Sequence, residues 1–174
     1  KKRITKKINF HYRGVSKMRL SKNFHLNEFV KSSTADRMAI DNSPKDDEHL
    51  VNLVVLSHKI LQPIREEHGV ITLNSGYRSP DLNKAVGGSS KSQHCKGEAA
   101  DFESYSISNP DLAKWIRDNL DFDQLILEFY DGVDPNSGWI HCSYKRDGSN
   151  RKDVLTALKQ KGKVKYEKGL VGVK

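Results

Sequence analysis

The sequence SQHCKGEAADFES, residues 92–104, contains the pattern that decides the fold. Its second half predicts a strand over 98–104, because side chains alternate between two faces there. One face is apolar, and the other carries Ala99, Asp101 and Glu103. Gly97 permits a tight turn just before this strand. The segment therefore predicts that His94 lies on a loop leading into the strand that carries Asp101.

The remainder of the chain predicts helices first and strands afterwards. Apolar spacing predicts a helix over 44–62, with Ser43 as its N-cap and Pro44 at its first position, and Pro63 should kink or end it. Residues 124–129 and 139–144 read as the two strands of a hairpin, and 154–157 and 164–166 as short edge strands. This order predicts an α+β fold in which N-terminal helices pack on an antiparallel sheet.

Charge divides the 174 residues into three parts. Residues 1–17 contain seven Lys or Arg and no acid, and 145–174 contain ten basic and three acidic residues. The part between them has thirteen basic and nineteen acidic residues. The basic ends could hold an anionic surface such as a cell-wall polymer or nucleic acid, or could be solvated. We predict a basic extension over 1–17 and a single domain over 18–174, with nucleic acid not expected as a partner because no aromatic residues interleave the basic ones.

Composition also bounds the cellular context. No run of about 18 apolar residues predicts a membrane span, and no secretory signal follows the basic start. We expect synthesis in the cytoplasm, action elsewhere and a monomeric protein. Cys95 and Cys142 each follow a histidine, so a bridge between them is conceivable, but we expect free thiols, with Cys142 on the apolar side of its strand.

Two histidines and one aspartate form the most informative set of polar residues. His94 and Asp101 lie seven positions apart, and His141 sits in the middle of the apolar strand 139–144. Imidazole nitrogen and carboxylate oxygen are ligands that zinc accepts readily, and three protein ligands leave one position for water. A single histidine in an apolar strand is more often a packing residue than a metal ligand. We predict a Zn²⁺ site formed by His94, Asp101 and His141.

The spacing of these residues resembles that of a known family. The pattern Ser92-x-His94-x-x-Gly97-x-Ala99-x-Asp101, followed by Trp139-x-His141, is similar to that of the zinc D-Ala-D-Ala peptidases of bacteria and phages. SGYRSPDLN, residues 75–83, resembles the segment before the zinc motif, and LSKNFHLNEF, residues 20–29, resembles the start of phage-type members. The resemblance spans about 18–170. It implies the fold shared with the Hedgehog domain, zinc binding by the three residues above, and a substrate contact by Arg78.

The other site residues follow from chemistry beside this resemblance. Arg78 could hold a terminal carboxylate or stabilise an oxyanion, or could be a surface turn residue. Ser92 could bind substrate or shape its loop. Some relatives have a general-base glutamate three positions before the last histidine, but this chain has Gly138 there. Glu128 is our candidate base because an acid in an apolar strand is costly unless paired or functional. Glu103 and Asp134 are the weaker candidates, and Glu128 could instead be satisfied by an arginine or by backbone.

These residues predict a zinc-dependent peptidase that cleaves peptidoglycan peptides, as a D,D-carboxypeptidase or an endopeptidase. The phage-type resemblance implies a lysin. Two other functions remain open. One is a non-catalytic zinc-containing module that binds cell wall or a protein, and the other is a nucleic-acid binder, which rests on the charged ends alone.

Overall fold

A computed structural model of the protein describes residues 17–173. The predicted basic extension lies outside the described residues except for Lys17. The helices are α1 (Leu26–Val30), α2 (Ser33–Met38), α3 (Asp47–Leu56), α4 (Gln62–His68), α5 (Pro80–Ala85) and α6 (Asn109–Asn119). The strands are β1 (Ile71–Ser75), β2 (Ala99–Ser104), β3 (Gln124–Glu128), β4 (Trp139–Ser143), β5 (Asp153–Gln160) and β6 (Lys163–Lys168).

The six strands form one sheet in the order β1-β2-β4-β3-β5-β6. The mixed helix and sheet composition agrees with the predicted α+β class, and β3 and β4 pair in antiparallel fashion as predicted. The prediction of an antiparallel sheet is wrong at one place, because β3 and β5 run parallel. The prediction that 154–157 forms an edge strand is also wrong, since β5 is longer and lies inside the sheet. β6 is an edge strand, as predicted.

Contacts before the two parallel strands explain why they start side by side. The backbone N–H of Lys152 donates to the carbonyl of Phe122, and that of Asp153 donates to the carbonyl of Asp123. The Asp123 carboxylate also holds the guanidinium of Arg151. These contacts join the residues just before β5 to those just before β3. Both strands therefore begin at the same end of the sheet and run in the same direction.

The predicted helix over 44–62 differs from the observed one at both ends. The N-cap is Asp46, whose side chain accepts from the N–H of Glu48, whereas the Ser43 hydroxyl donates to Asp41. Pro63 does not end the helix. A π-helical turn, Ser57–Leu61, widens it just before the proline, and α4 continues to His68. A proline lacks the N–H of a regular helix and its ring collides with the preceding turn, and the wider turn accommodates both effects.

The apolar face of the sheet packs against the helices. Ala100, Phe102, Leu127, Ile140 and Cys142 are fully buried and share one core cluster with apolar residues of α3, α4 and α6. The opposite face carries Asp101 and His141, as the alternation in β2 predicted. Helices α3, α4 and α6 therefore pack behind the sheet, whereas residues of α2 and α5 lie on the side that carries Asp101 and His141. Within residues 17–173, no helix is long and apolar enough to cross a membrane.

Candidate metal centre

The strand register brings Asp101 and His141 together. β2 and β4 are antiparallel neighbours, and Asp101 lies directly opposite His141. Residues opposite one another in an antiparallel pair project from the same face with their Cβ atoms about 5 Å apart. Nδ1 of His141 lies 2.8 Å from Oδ1 of Asp101. Two distant parts of the sequence thus meet on two rigid, adjacent strands.

His94 reaches the same point from a 3-10 turn, Gln93–Lys96, that precedes β2. Gly97 ends this turn in the left-handed region, and a Cβ there would lie 2.5 Å from the carbonyl oxygen of His49, so the close turn requires glycine. The His94 side chain is buried, and its Nδ1–H donates to the carbonyl of Gly76 at 2.6 Å. This bond directs Nε2 towards Asp101 and supplies the second partner that ligating histidines normally have.

The three side chains fit a zinc ion. The ligand atoms of His94, Asp101 and His141 all lie within 4.8 Å of one another. Nε2 of His94 is 3.2 Å from Oδ1 of Asp101 and 3.3 Å from Nδ1 of His141. Ligands bound about 2.1 Å from a tetrahedral zinc ion stand about 3.4 Å apart. The spacing and the chemistry of the donor set therefore suit zinc.

Electrostatics at the three residues show strong mutual coupling. Burial alone would raise the pKa of Asp101, but the adjacent His94 and His141 hold that pKa far below its usual range. Burial lowers the pKa of His94. It would lower that of His141 too, but the hydrogen bond and charge of Asp101 raise the pKa of His141 instead. A deprotonated carboxylate between two imidazoles is an environment that favours a cation.

Arg78 approaches the same carboxylate from the loop between β1 and α5. Its Nη2 lies 3.4 Å from Oδ2 of Asp101, on the side away from the histidines. Its Nε is buried and has no hydrogen-bond partner among the described residues. The side chain is 19 % exposed. A guanidinium that lies beside the ligands and is partly exposed on the cleft wall can donate hydrogen bonds to an anionic group of a bound molecule.

Glu128 lies on the same face at the end of β3. It is paired with Trp139, and Ile126 is paired with His141, so Glu128 is diagonal to His141. Burial raises the pKa of the Glu128 carboxyl, and the negative charge of Asp101 adds to that effect. Of the two weaker base candidates, Glu103 accepts a hydrogen bond from Asn74 and Asp134 sits in an exposed loop. Neither lines the cleft that contains the three predicted ligands.

Gly138 explains why a glutamate is not found three positions before His141. Its φ is +70°, and a Cβ on this residue would lie 1.9 Å from the carbonyl oxygen of Glu128. Any side chain there would collide with the backbone that follows β3. At this end of β3, Glu128 is the acid that lines the cleft among the described residues, whereas Asp123, at the other end of the strand, is paired with Arg151 and Lys145.

The cleft around these side chains has a volume of about 930 Å³. Ser92, half-buried, lines it together with Arg78 and Glu128. Cys95 and Cys142 are both free, as expected, and Cys142 is buried on the opposite, apolar face.

Tyr166 of β6 also lines the cleft, and the sequence interpretation missed it. The sequence shows that Val164 and Tyr166, two positions apart, share one face of their strand, but only the β3–β5–β6 pairing shows that this face borders the cleft.

Comparison with known proteins agrees with this geometry. A family model described as peptidase M15 matches residues 22–143, which include Arg78, Ser92, Glu128 and all three predicted ligands. The chain belongs to the peptidase M15 family. This confirms the resemblance to the zinc D-Ala-D-Ala peptidases. No curated protein matches the chain. The M15 match ends at the last residue of β4, so β5, β6 and Tyr166 lie beyond it.

Membership in this family identifies the chain as a metallopeptidase of a zinc-dependent class and implies a peptide substrate. Among the described residues, His94, Asp101 and His141 form a group that could hold a metal ion.

Proposed function

We propose that this M15 protein is a zinc peptidase that hydrolyses peptidoglycan peptides, with His94, Asp101 and His141 as the metal ligands. One observation supports this most directly. The three ligand side chains, the half-buried Glu128 and Arg78 all line one cleft. A structural zinc site would be closed by a fourth protein ligand. No fourth His, Cys, Asp or Glu joins the group among the described residues.

The metal and the protein side chains divide the chemistry between them. Zinc held by His94, Asp101 and His141 would act as a Lewis acid that polarises the scissile carbonyl and makes water a better nucleophile near neutral pH. Glu128 accepts the proton of the attacking water and returns it to the leaving amine. A carboxyl whose pKa is raised by burial suits that exchange, because it holds a proton more readily than an ordinary surface glutamate.

Arg78 recognises negative charge in the proposed reaction. Its Nη2 approaches Asp101, and the exposed part of its side chain, on the cleft wall, can donate to a substrate carboxylate or to the oxyanion formed on attack. A C-terminal D-Ala carboxylate would favour the carboxypeptidase reaction, and an oxyanion contact serves either a carboxypeptidase or an endopeptidase. Ser92, on the cleft wall, contacts the substrate backbone. We also propose a phage-type lysin with the Hedgehog-like fold, monomeric and acting at the cell wall after synthesis in the cytoplasm.

The test is hydrolysis of defined muropeptides, with and without a C-terminal D-Ala-D-Ala, followed by product analysis. We expect cleavage that a chelator abolishes and zinc restores. Glu128→Gln should retain one zinc per chain and lose about 10²–10⁴-fold in kcat. The matched control is Glu103→Gln, since Glu103 lies on the same face of the sheet as Glu128 but outside the cleft. The kcat of this variant should stay within about twofold of the native value.

Each alternative has its own outcome in this assay. Full activity in Glu128→Gln would remove Glu128 as the base. One bound zinc and tight binding to purified cell wall, without any product, would instead identify the non-catalytic module.

A further inference from the structure

Asn42, in the segment between α2 and α3, bonds to the backbone on both sides of Arg78. Its side-chain Nδ2 donates to the carbonyl of Tyr77 at 3.0 Å, and its Oδ1 accepts from the N–H of Ser79 at 2.7 Å. The other Nδ2 hydrogen is donated to the carbonyl of Val30, at the end of α1. Asn42 is 3 % exposed. Both of its N–H donors and its carbonyl oxygen are thus used, and all three contacts are to backbone.

The zinc motif holds the same short segment from the opposite side. The N–H of Arg78 donates to the carbonyl of His94 at 3.1 Å. The Nδ1–H of His94 donates in turn to the carbonyl of Gly76. Residues 76–79 therefore lie between Asn42 and His94, with hydrogen bonds in both directions. The backbone of Arg78 is fixed, although its guanidinium has one contact at 3.4 Å and one unused donor.

We propose that Asn42 is a positioning residue that sets where the Arg78 guanidinium stands relative to the zinc ligands. This inference rests on the proposed peptidase function. An arginine side chain has many rotamers, so its terminal group is placed accurately only when its backbone is held. A displacement of about 1 Å in a catalytic site can cost about 10²-fold in rate. Asn42 is therefore expected to act on catalysis through Arg78, without touching substrate.

A double-mutant cycle separates this role from a general structural one. In the native background, Asn42→Ala should lower kcat/KM by about 10–100-fold. In an Arg78→Ala background, the same change should lower it by less than about twofold, because the guanidinium it positions is gone. Zinc content should remain at one per chain in every variant. An equal fold-loss in both backgrounds would overturn the proposal.

Asn109→Ala is the matched control. Asn109 is also buried, at 2 % exposure, and its Nδ2 donates to backbone carbonyls, including that of Gly138 at 3.0 Å. It lies at the start of α6 and has no hydrogen bond to residues 76–79. Whatever loss Asn109→Ala causes should be the same with and without Arg78. A comparable coupling of Asn109 to Arg78 would show that the cycle reports general destabilisation, and would also contradict a specific role for Asn42.

Two further measurements keep the proposal open to failure. If Asn42→Ala does not fold, Asn42→Ser, which keeps one donor, takes its place in the same cycle. If the native protein shows no turnover, the proposed function fails, and ¹⁵N relaxation of the Arg78 Nε–H group in the zinc-loaded protein decides separately. An ordered guanidinium that becomes mobile in Asn42→Ser supports positioning. Unchanged order in that variant overturns it.

Discussion

Asp101 and Asp123 are two carboxylates in the same cleft with different partners. Asp123 is fully buried, and Arg151 contacts it through Nε at 2.9 Å and Nη2 at 2.6 Å, with Lys145 at 3.3 Å. Asp101 has two imidazoles within 3.2 Å and its one permanent cation, Arg78, at 3.4 Å. Both pKa values are lowered, but by different groups. Position in the cleft therefore does not distinguish a functional carboxylate from a structural one.

The partners make the distinction. Two permanent cations and a backbone N–H from Arg151 already satisfy Asp123, which holds the entry to β5 beside β3. Asp101 has a single permanent cation, Arg78 at 3.4 Å, and two imidazoles that can be neutral, so a further cation would be favourable beside it. We infer that the surroundings of Asp101 can take up a metal ion, whereas those of Asp123 are already occupied by two cationic side chains.

The largest expected difference is in metal content and turnover. Asp101→Asn removes an anionic ligand, so zinc should fall well below one per chain and kcat/KM for muropeptides should fall by about 10³-fold or more. Asp123→Asn has the same shape and should retain one zinc and most of the turnover. Metal analysis of both purified variants checks this. Equal zinc content in the two variants would contradict the proposal that Asp101 binds the metal and Asp123 does not.

Zinc should stabilise the protein only when Asp101 is present. At a free zinc concentration about 1,000 times Kd, binding to the folded state adds about 4 kcal/mol to the free energy of unfolding. Urea titrations with and without zinc should show this gain in the native protein and in Asp123→Asn, and lose most of it in Asp101→Asn. A similar gain in Asp101→Asn would place the metal elsewhere.

Without metal, the ranking of the two carboxylates should reverse. Asp123→Ala removes a buried carboxylate and its charge-assisted hydrogen bonds, while the half-exposed Arg151 and Lys145 stay hydrated, and we expect a loss of about 2–3 kcal/mol in the free energy of unfolding. Asp101→Ala in chelator should cost less, because both imidazoles can become neutral once the carboxylate is gone, whereas Arg151 and Lys145 keep their charges after the loss of Asp123. Urea unfolding of both variants in chelator measures the two losses. A smaller loss for Asp123→Ala would contradict its structural role.

Much of this site was predictable from sequence, for a local reason. Alternation in 98–104 identified the face that carries Asp101, and the strand pattern around His141 identified its partner. Only one antiparallel register was needed to join them, and the structure has Asp101 opposite His141. The β3–β4 pairing likewise set Glu128 on the same face, which the sequence alone could not fix because a shift of one residue reverses every side chain.

The remaining features depend on contacts between distant segments. The parallel pairing of β5 with β3 follows from the bonds that Asp123 makes to residues 151–153, and no pattern within β5 indicates it. Tyr166 reaches the cleft only through that pairing. Asn42 is thirty-six positions from Arg78 in sequence, and a single asparagine in a turn has many common roles.

The smallest predicted effect is the contribution of Asp123 to the pH dependence of the free energy of unfolding. Burial would raise the pKa of Asp123, but Arg151 and Lys145 lower it from 3.8 to about 2. A carboxyl whose pKa is depressed on folding contributes stability above its unfolded pKa and loses it as the pH falls towards the folded value. The advantage of the native protein over Asp123→Asn should therefore shrink by about 2 kcal/mol between pH 5 and pH 2. Urea titrations of both proteins in chelator measure it free of zinc dissociation, with the exposed Asp118→Asn as control. An advantage that stays constant over this range would mean that the Arg151 contact adds little in solution, and the contrast with Asp101 would then rest on metal binding alone.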